Sequence, residues 1–236
     1  MKTLTRLAGL ITMLLLTAGM LYAQVSVGLR GGVNFARATR EGEIMEIDDE
    51  NRKFLPGPYI AVPVEIRIGN SFALQAEPTY IQKGIKLYEE TEVEDEPGHM
   101  ALFEGDFRTQ INYLTLPVLA KGLFGGENLR FYAIAGPEVG YALNGKHKFE
   151  ISMTNGDIIT EEFEEDIDFD EEEISRFDFG VIFGAGLEIK AGPGSVILDG
   201  RYNLGLYDID RGEEFENEML NRGIGVSLGY MLPLGN

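Results

Sequence analysis

Cysteine is absent from the 236 residues. That excludes disulfides, thiolate metal centres and the lipidated cysteine that anchors a bacterial lipoprotein. Any hold on a membrane must come from the folded surface itself. Cations are scarce too: 20 Lys and Arg stand against 39 Asp and Glu, a formal charge of −19. Nucleic acid is excluded as a partner, because phosphate binding needs clustered Lys and Arg. Beyond residue 24 no apolar run approaches the roughly 20 residues of a spanning helix. Histidine occurs only as His99 and His147, and neither lies at recognisable spacing from a nucleophile and an orienting acid. The glycine-rich string GAGLE at 184–188 falls inside an alternating segment, so it is no phosphate loop.

The one long apolar stretch stands at the front. Lys2 and Arg6 precede 7–21, LAGLITMLLLTAGML, and Ala23 supplies a small residue at a cleavage site, although Leu21 departs from the small residue usual at −3. This three-part pattern predicts a signal peptide over 1–23 and one domain over 24–236. An uncleaved membrane anchor is the alternative, but the run is short for a ~20-residue spanning helix. Losing Lys2 and Arg6 takes the charge from −19 to −21.

What remains is rich in Gly, aromatic and β-branched residues that alternate with period two. Eight segments emerge: 25–36, 59–68, 72–84, 109–122, 129–143, 177–190, 195–207 and 222–232. In the sixth, Phe177, Phe179, Val181, Phe183, Ala185, Leu187 and Ile189 oppose Asp178, Gly180, Gly184, Gly186, Glu188 and Lys190. The fourth divides less cleanly, and its faces are left unassigned. Three connections are short, near Gly69, Gly125 and Gly192. Four are long: 37–57, 85–108, 144–176 and 208–221. These four hold 32 of the 39 acids. Strict alternation of short turns with long polar loops over an even number of strands is the organisation of outer-membrane barrels. The expected fold is therefore an all-β, eight-stranded antiparallel up-and-down transmembrane barrel. Its short turns and both mature termini would be periplasmic, and its acidic loops extracellular.

In such a barrel the apolar face meets lipid and the polar face lines the interior. The polar faces carry Arg30, Glu65, Arg67, Glu77, Arg130, Glu138, Asp178, Glu188, Asp199 and Arg201, with many glycines. With Lys190, that is near charge balance within a strongly acidic chain. Balance points to paired, buried groups, because an unpaired buried charge is costly. Eight strands enclose about the space that side chains fill, so the lumen is expected to be plugged and the charges structural. Tyr80, Tyr141, Tyr202 and Tyr230 suit interfacial girdles.

The strings GLRGGVNFA (28–36), QAEPTYIQKG (75–84), INYLTLPVLAK (111–121), YAIAGPEVGY (132–141), RYNLGLYDI (201–209) and SLGYMLPL (227–234) resemble PorT-type outer-membrane β-barrel proteins of Bacteroidetes, Gram-negative bacteria. The resemblance spans nearly all of 24–236. It implies an outer-membrane barrel, with a link to protein secretion through the family's founding member, and brings no catalytic motif. The C-terminus departs from the aromatic ending common in such barrels: the chain ends Leu234-Gly235-Asn236.

The sharpest local motif is DIDFDEEE, 166–173. Asp166, Asp168 and Asp170 match the opening of a calcium loop. Glu171 stands where an EF-hand has Gly, and Phe177 where it has Glu, so any calcium site here is of another kind. The expectation is a non-enzymatic, monomeric barrel in contact with outer-membrane lipid, working through its acidic loops or periplasmic face, with envelope or secretion proteins as partners. The alternatives are an outer-membrane lipid-modifying enzyme using His147, a small passive channel, and a soluble periplasmic β-protein.

Overall fold

The computed structural model of the protein describes residues 24–40, 52–96, 99–155, 157–212 and 218–234; the signal peptide expected at 1–23 lies outside them. Among the described residues the chain forms twelve strand segments. These are β1 (Gln24–Arg40), β2 (Arg52–Lys53), β3 (Leu55–Ala61), β4 (Val64–Ile68), β5 (Phe72–Ala76), β6 (Thr79–Glu96), β7 (His99–Gly125), β8 (Leu129–Asn155), β9 (Asp157–Asp166), β10 (Phe177–Ala191), β11 (Gly194–Gly205) and β12 (Met219–Leu234).

They build eight staves. β3 and β4 are one stave broken at Pro63; β5 and β6 are another broken at Pro78. Proline brings no N–H to the ladder, yet its carbonyl still serves. The Gly28 N–H donates to the Pro63 carbonyl at 2.9 Å, and the Val62 N–H to the Pro78 carbonyl at 3.0 Å. Pairing then runs through β7, β8, β10, β11 and β12, antiparallel throughout. The ring closes where β12 returns to β1, in register from Val25↔Leu234 to Arg40↔Met219. At the β4–β5 turn Gly69 sits at φ 72°, a left-handed conformation that glycine adopts without a Cβ penalty.

The alternation read from the sequence maps onto the two faces. Leu29, Val33, Ile60, Leu74, Phe131, Phe183, Leu198 and Leu228 are exposed on the outside, while Arg30, Glu65, Glu77, Glu138, Asp178, Asp199 and Arg201 are buried within. The unassigned fourth segment becomes the centre of β7. Its inward residues include Ile111, Tyr113, Leu119 and Leu123 beside Thr115 and Lys121. Both faces are largely apolar there, which is why no division was legible.

The loop boundaries need correction. Residues 85–96, 99–108, 144–155 and 157–166 are strand. β7 and β8, at 27 residues each, far outrun the roughly 9–11 residues needed to cross a membrane. Beyond the barrel mouth β6, β7, β8 and β9 continue as a four-stranded sheet. Its polarity is inverted relative to the barrel. Leu87, Phe107, Phe149 and Phe163 pair in one row on the lumen side, and Lys86, Arg108, Lys148 and Glu164 in the adjacent row on the outer side. An outer face in water carries charge where the same face in lipid cannot. Many of the acids that mark this region as loop, Glu90, Asp106, Glu150, Glu162 and Glu164 among them, are thus on the solvated face of a ladder.

The lipid-facing assignment has a direct test. Leu228→Arg, on the outward face of β12, should cost about 2–4 kcal/mol of folding stability in lipid vesicles. Glu90→Arg, on the sheet beyond the mouth, should stay within about 0.5 kcal/mol. Similar costs at both positions would contradict the assignment.

Candidate functional site

The barrel interior is filled by three tiers of paired charge. At the middle, Arg30 lies between Glu77 and Asp199 and pairs with both. Arg201 closes the group, with Nη1 at 3.0 Å from Glu77 and Nη2 at 3.1 Å from Asp199. Neutral donors complete the shells of both carboxylates. Gln75 and Tyr59 donate to Glu77 at 2.7 and 2.9 Å, and Tyr132 and Ser227 to Asp199 at 2.9 and 2.8 Å. Space for this is made by the facing strand: a Cβ on Gly229 would stand 2.4 Å from the Cβ of Arg30, so only glycine fits there.

Toward the short-turn end, Lys121 pairs with Glu65 at 2.6 Å and lies 4.2 Å above the Tyr132 ring. Arg67 links Glu65 to Glu188. Toward the long-loop end, Lys83 bridges Glu138 at 2.7 Å and Asp178 at 2.9 Å, and Asn221 donates to Asp178 at 3.1 Å.

Nine of the ten lumen residues read from the sequence enter these tiers. Arg130, half-buried beside the β7–β8 turn, does not, and Lys190 is exposed on β10. The cations that sequence reasoning missed are Lys83 and Lys121. Lys83 follows in alternation from Thr79 and Ile81, so its inward position was legible. Lys121 lies on β7, whose faces could not be told apart.

The motif with Asp166, Asp168 and Asp170 lies at the end of β9 and in the turn that follows it. Its intervening residues, Ile167 and Phe169, turn inward and are buried with Ile81, Ile111 and Tyr113. The guanidinium of Arg176 lies 4.2 Å from the Phe169 ring centre. The Asp–x–Asp–x–Asp spacing is thus period-two alternation, with apolar plug residues inward and acids outward. Asp168 Oδ1 accepts the backbone N–H groups of Asp170 at 3.0 Å and Glu171 at 3.2 Å, and Asp166 reaches toward Lys146. Among the described residues no group of three His, Asp or Glu stands together as metal ligands.

Above the plug lies a cavity of about 680 Å³ at the barrel mouth, walled by Ile85, Leu87, Phe107, Ile111, Ile209 and Met219. His147 lines it. One ring nitrogen, Nδ1, is 3.0 Å from the Thr109 hydroxyl, and Nε2 is 2.8 Å from Glu172. The ring stacks on Phe107 at 5.8 Å. On the outer face of the sheet, Glu164 accepts from Lys146 and from Lys148. The hydrogen bonds from Lys146, then Lys148, hold its carboxyl down at about 2.

The model of the outer membrane protein beta-barrel domain family matches residues 22–211. The chain belongs to that family. No curated protein matches it in sequence. Among solved structures it is similar to Ail, the attachment invasion locus protein of Yersinia pestis. That match has 13% identity, covers 89% of this chain and 99% of Ail, and gives a TM-score of 0.37. Neisserial surface protein A is similar at 13% identity, covering 88% of this chain and 97% of that one, with a TM-score of 0.41. The outer membrane protease OmpT from Escherichia coli is similar at 11% identity, covering 90% and 96%, with a TM-score of 0.30.

Two predictions follow from the charge geometry. Glu77→Ala leaves Arg30 and Arg201 sharing Asp199 as their one buried carboxylate and should cost about 3–5 kcal/mol in denaturant unfolding. Arg67→Ala, at the more open end, should cost less; the reverse order would contradict the tier assignment. Glu164 is depressed relative to the ordinary glutamate value of 4.5. The stability its ion pairs contribute is therefore complete above 4.5 and lost as the pH falls through about 2. A carboxyl carbon-13 titration should place Glu164 near 2, and a midpoint at 4.5 would contradict the pairing.

Proposed function

We propose that the protein is a non-enzymatic component of the outer membrane that acts through its long-loop face, with a lumen that does not conduct. The observation that carries this is the lumen itself. Five cations and six carboxylates interlock across it, and such a network leaves its charges paired with one another rather than presented to a permeating ion. In this reading the short turns and both mature termini are periplasmic, and the β6–β9 sheet stands outside the cell. The contrast between three tight turns at one end and an acidic strand extension at the other supports that orientation. The resemblance to PorT-type proteins of Bacteroidetes supports a place in protein secretion or envelope assembly. A closed barrel has no free edge that requires a second copy, which favours a monomer within such an assembly.

A second reading, an outer-membrane enzyme acting on lipid, is favoured by one contact chain. The Thr109 hydroxyl, the His147 ring and the Glu172 carboxylate connect in sequence beside an apolar cavity, the order of groups that nucleophilic catalysis uses. It predicts an altered lipid A profile on deletion, restored by the wild-type chain and not by His147→Ala. An unchanged profile removes it.

The leading reading is tested by affinity purification from native outer membranes in mild detergent. It expects defined envelope or secretion proteins at fixed stoichiometry, lost when 88–105 and 151–161 are shortened together. Recovery of the barrel alone would count against it.

A further inference from the structure

We propose that the cavity at the barrel mouth is a binding site for an amphipathic cation: a small molecule with an apolar body and a primary amine or guanidinium head. This rests on the reading that the protein works at its long-loop face.

The volume, about 680 Å³, falls in the range of small-molecule sites, which combine apolar walls with a few placed polar groups. Here the walls are aliphatic and aromatic, from Ile85, Leu87, Phe107, Ile209 and Met219. Thr109, His147 and Asn221 add neutral polar groups to the walls, and the carboxylates are concentrated at one rim. Glu171, Glu172 and Glu173 come from the turn after the Phe169 plug, and Asp210 from the segment leading to β12. Glu172 is engaged by His147. Glu171, Glu173 and Asp210 form no ion pair among the described residues. Arg211 brings its guanidinium to the Ile174 carbonyl at 3.3 Å, one cation beside the four carboxylates of Glu171, Glu172, Glu173 and Asp210. The rim is therefore a negative field over an apolar chamber. It attracts a cationic head and repels an anionic one, and the focusing is strongest where low-dielectric walls surround the charge.

The chamber is also built in advance. The Glu173 carbonyl accepts the Arg211 N–H at 2.9 Å, the Ser175 N–H donates to Ile209 at 2.8 Å, and Ile174 bridges to Asp210. These contacts tie the two rim segments together. Glu173 itself is held at φ 55°, alone among described non-glycine residues in being at positive φ. A residue with a Cβ stays in that region only where its surroundings impose it, and such positions concentrate at ligand sites. Turn chemistry alone would be met more easily by glycine or asparagine.

The test uses the full mature protein in lipid nanodiscs, with empty nanodiscs as baseline. The probe is dansylcadaverine, an aromatic sulfonamide with a primary amine, and the comparison is the matching dansyl alkyl carboxylate. Fluorescence titration should show one saturable site for the amine, at least about tenfold tighter than for the carboxylate. The double variant Glu171→Gln, Glu173→Gln lies on the exposed rim and leaves the barrel intact. It should weaken the amine severalfold while leaving the carboxylate unchanged or tighter. Leu87→Arg, which fills the chamber with a cation, should abolish amine binding. No saturable signal above empty nanodiscs overturns the proposal, and so does equal affinity for the two heads. If either occurs while the protein still recovers its envelope partners, the cavity assignment fails alone and the reading of the long-loop face stands.

Discussion

Hydrocarbon offers no partner to a backbone N–H or C=O, so a chain that crosses it as strands must close its sheet upon itself. The seam between β1 and β12 meets that requirement, and much else follows from it. Closure over eight staves fixes the interior at a width that side chains fill. The residues that alternate inward must then be compatible with one another at close range. Charged groups there must find opposite charges, which Arg30, Glu77, Asp199 and Arg201 do at the centre. Bulk must be met by its absence, as Gly229 meets Arg30. The same alternation directs Leu29, Phe183 and Leu228 outward, where apolar surface costs nothing in lipid.

Above the mouth the constraint relaxes, and the chemistry of the two faces exchanges. On the outer side, Lys86, Arg108, Lys148 and Glu164 meet water. On the inner side, Leu87, Phe107, Phe149 and Phe163 form an apolar row across the sheet, and its Leu87 and Phe107 line the mouth cavity. The Ile167–Phe169 plug packs with Ile81, Ile111 and Tyr113, and Ile111 also lines that cavity. The protein is thus divided along its axis into a charge-filled shaft and an acidic, partly apolar head.

This division explains what the sequence could and could not reveal. The barrel was legible because period-two alternation is imposed wherever one face meets lipid and the other a polar interior, as in β10 and β12. It faded in β7, where Ile111, Leu119 and Leu123 fill the lumen with apolar bulk and both faces look alike. It misled beyond the mouth, where acid content reads as loop although the ladder continues to the Glu96↔His99 pair. The acidic motif at 166–170 was read for its aspartates, while the residues that position the segment are Ile167 and Phe169. The site at the mouth was the least legible. Thr109, His147 and Glu172 are 38 and 25 residues apart in the chain, and only the β7–β8 pairing and the folded-back turn bring them together.

The central claim is that paired charge seals the shaft. Single-channel recording of the purified protein in planar bilayers tests it most directly. The account predicts a silent bilayer at the wild type, with current appearing when Glu77 or Arg201 is truncated to alanine and the middle tier is opened. Reproducible conductance steps from the wild-type protein would contradict it.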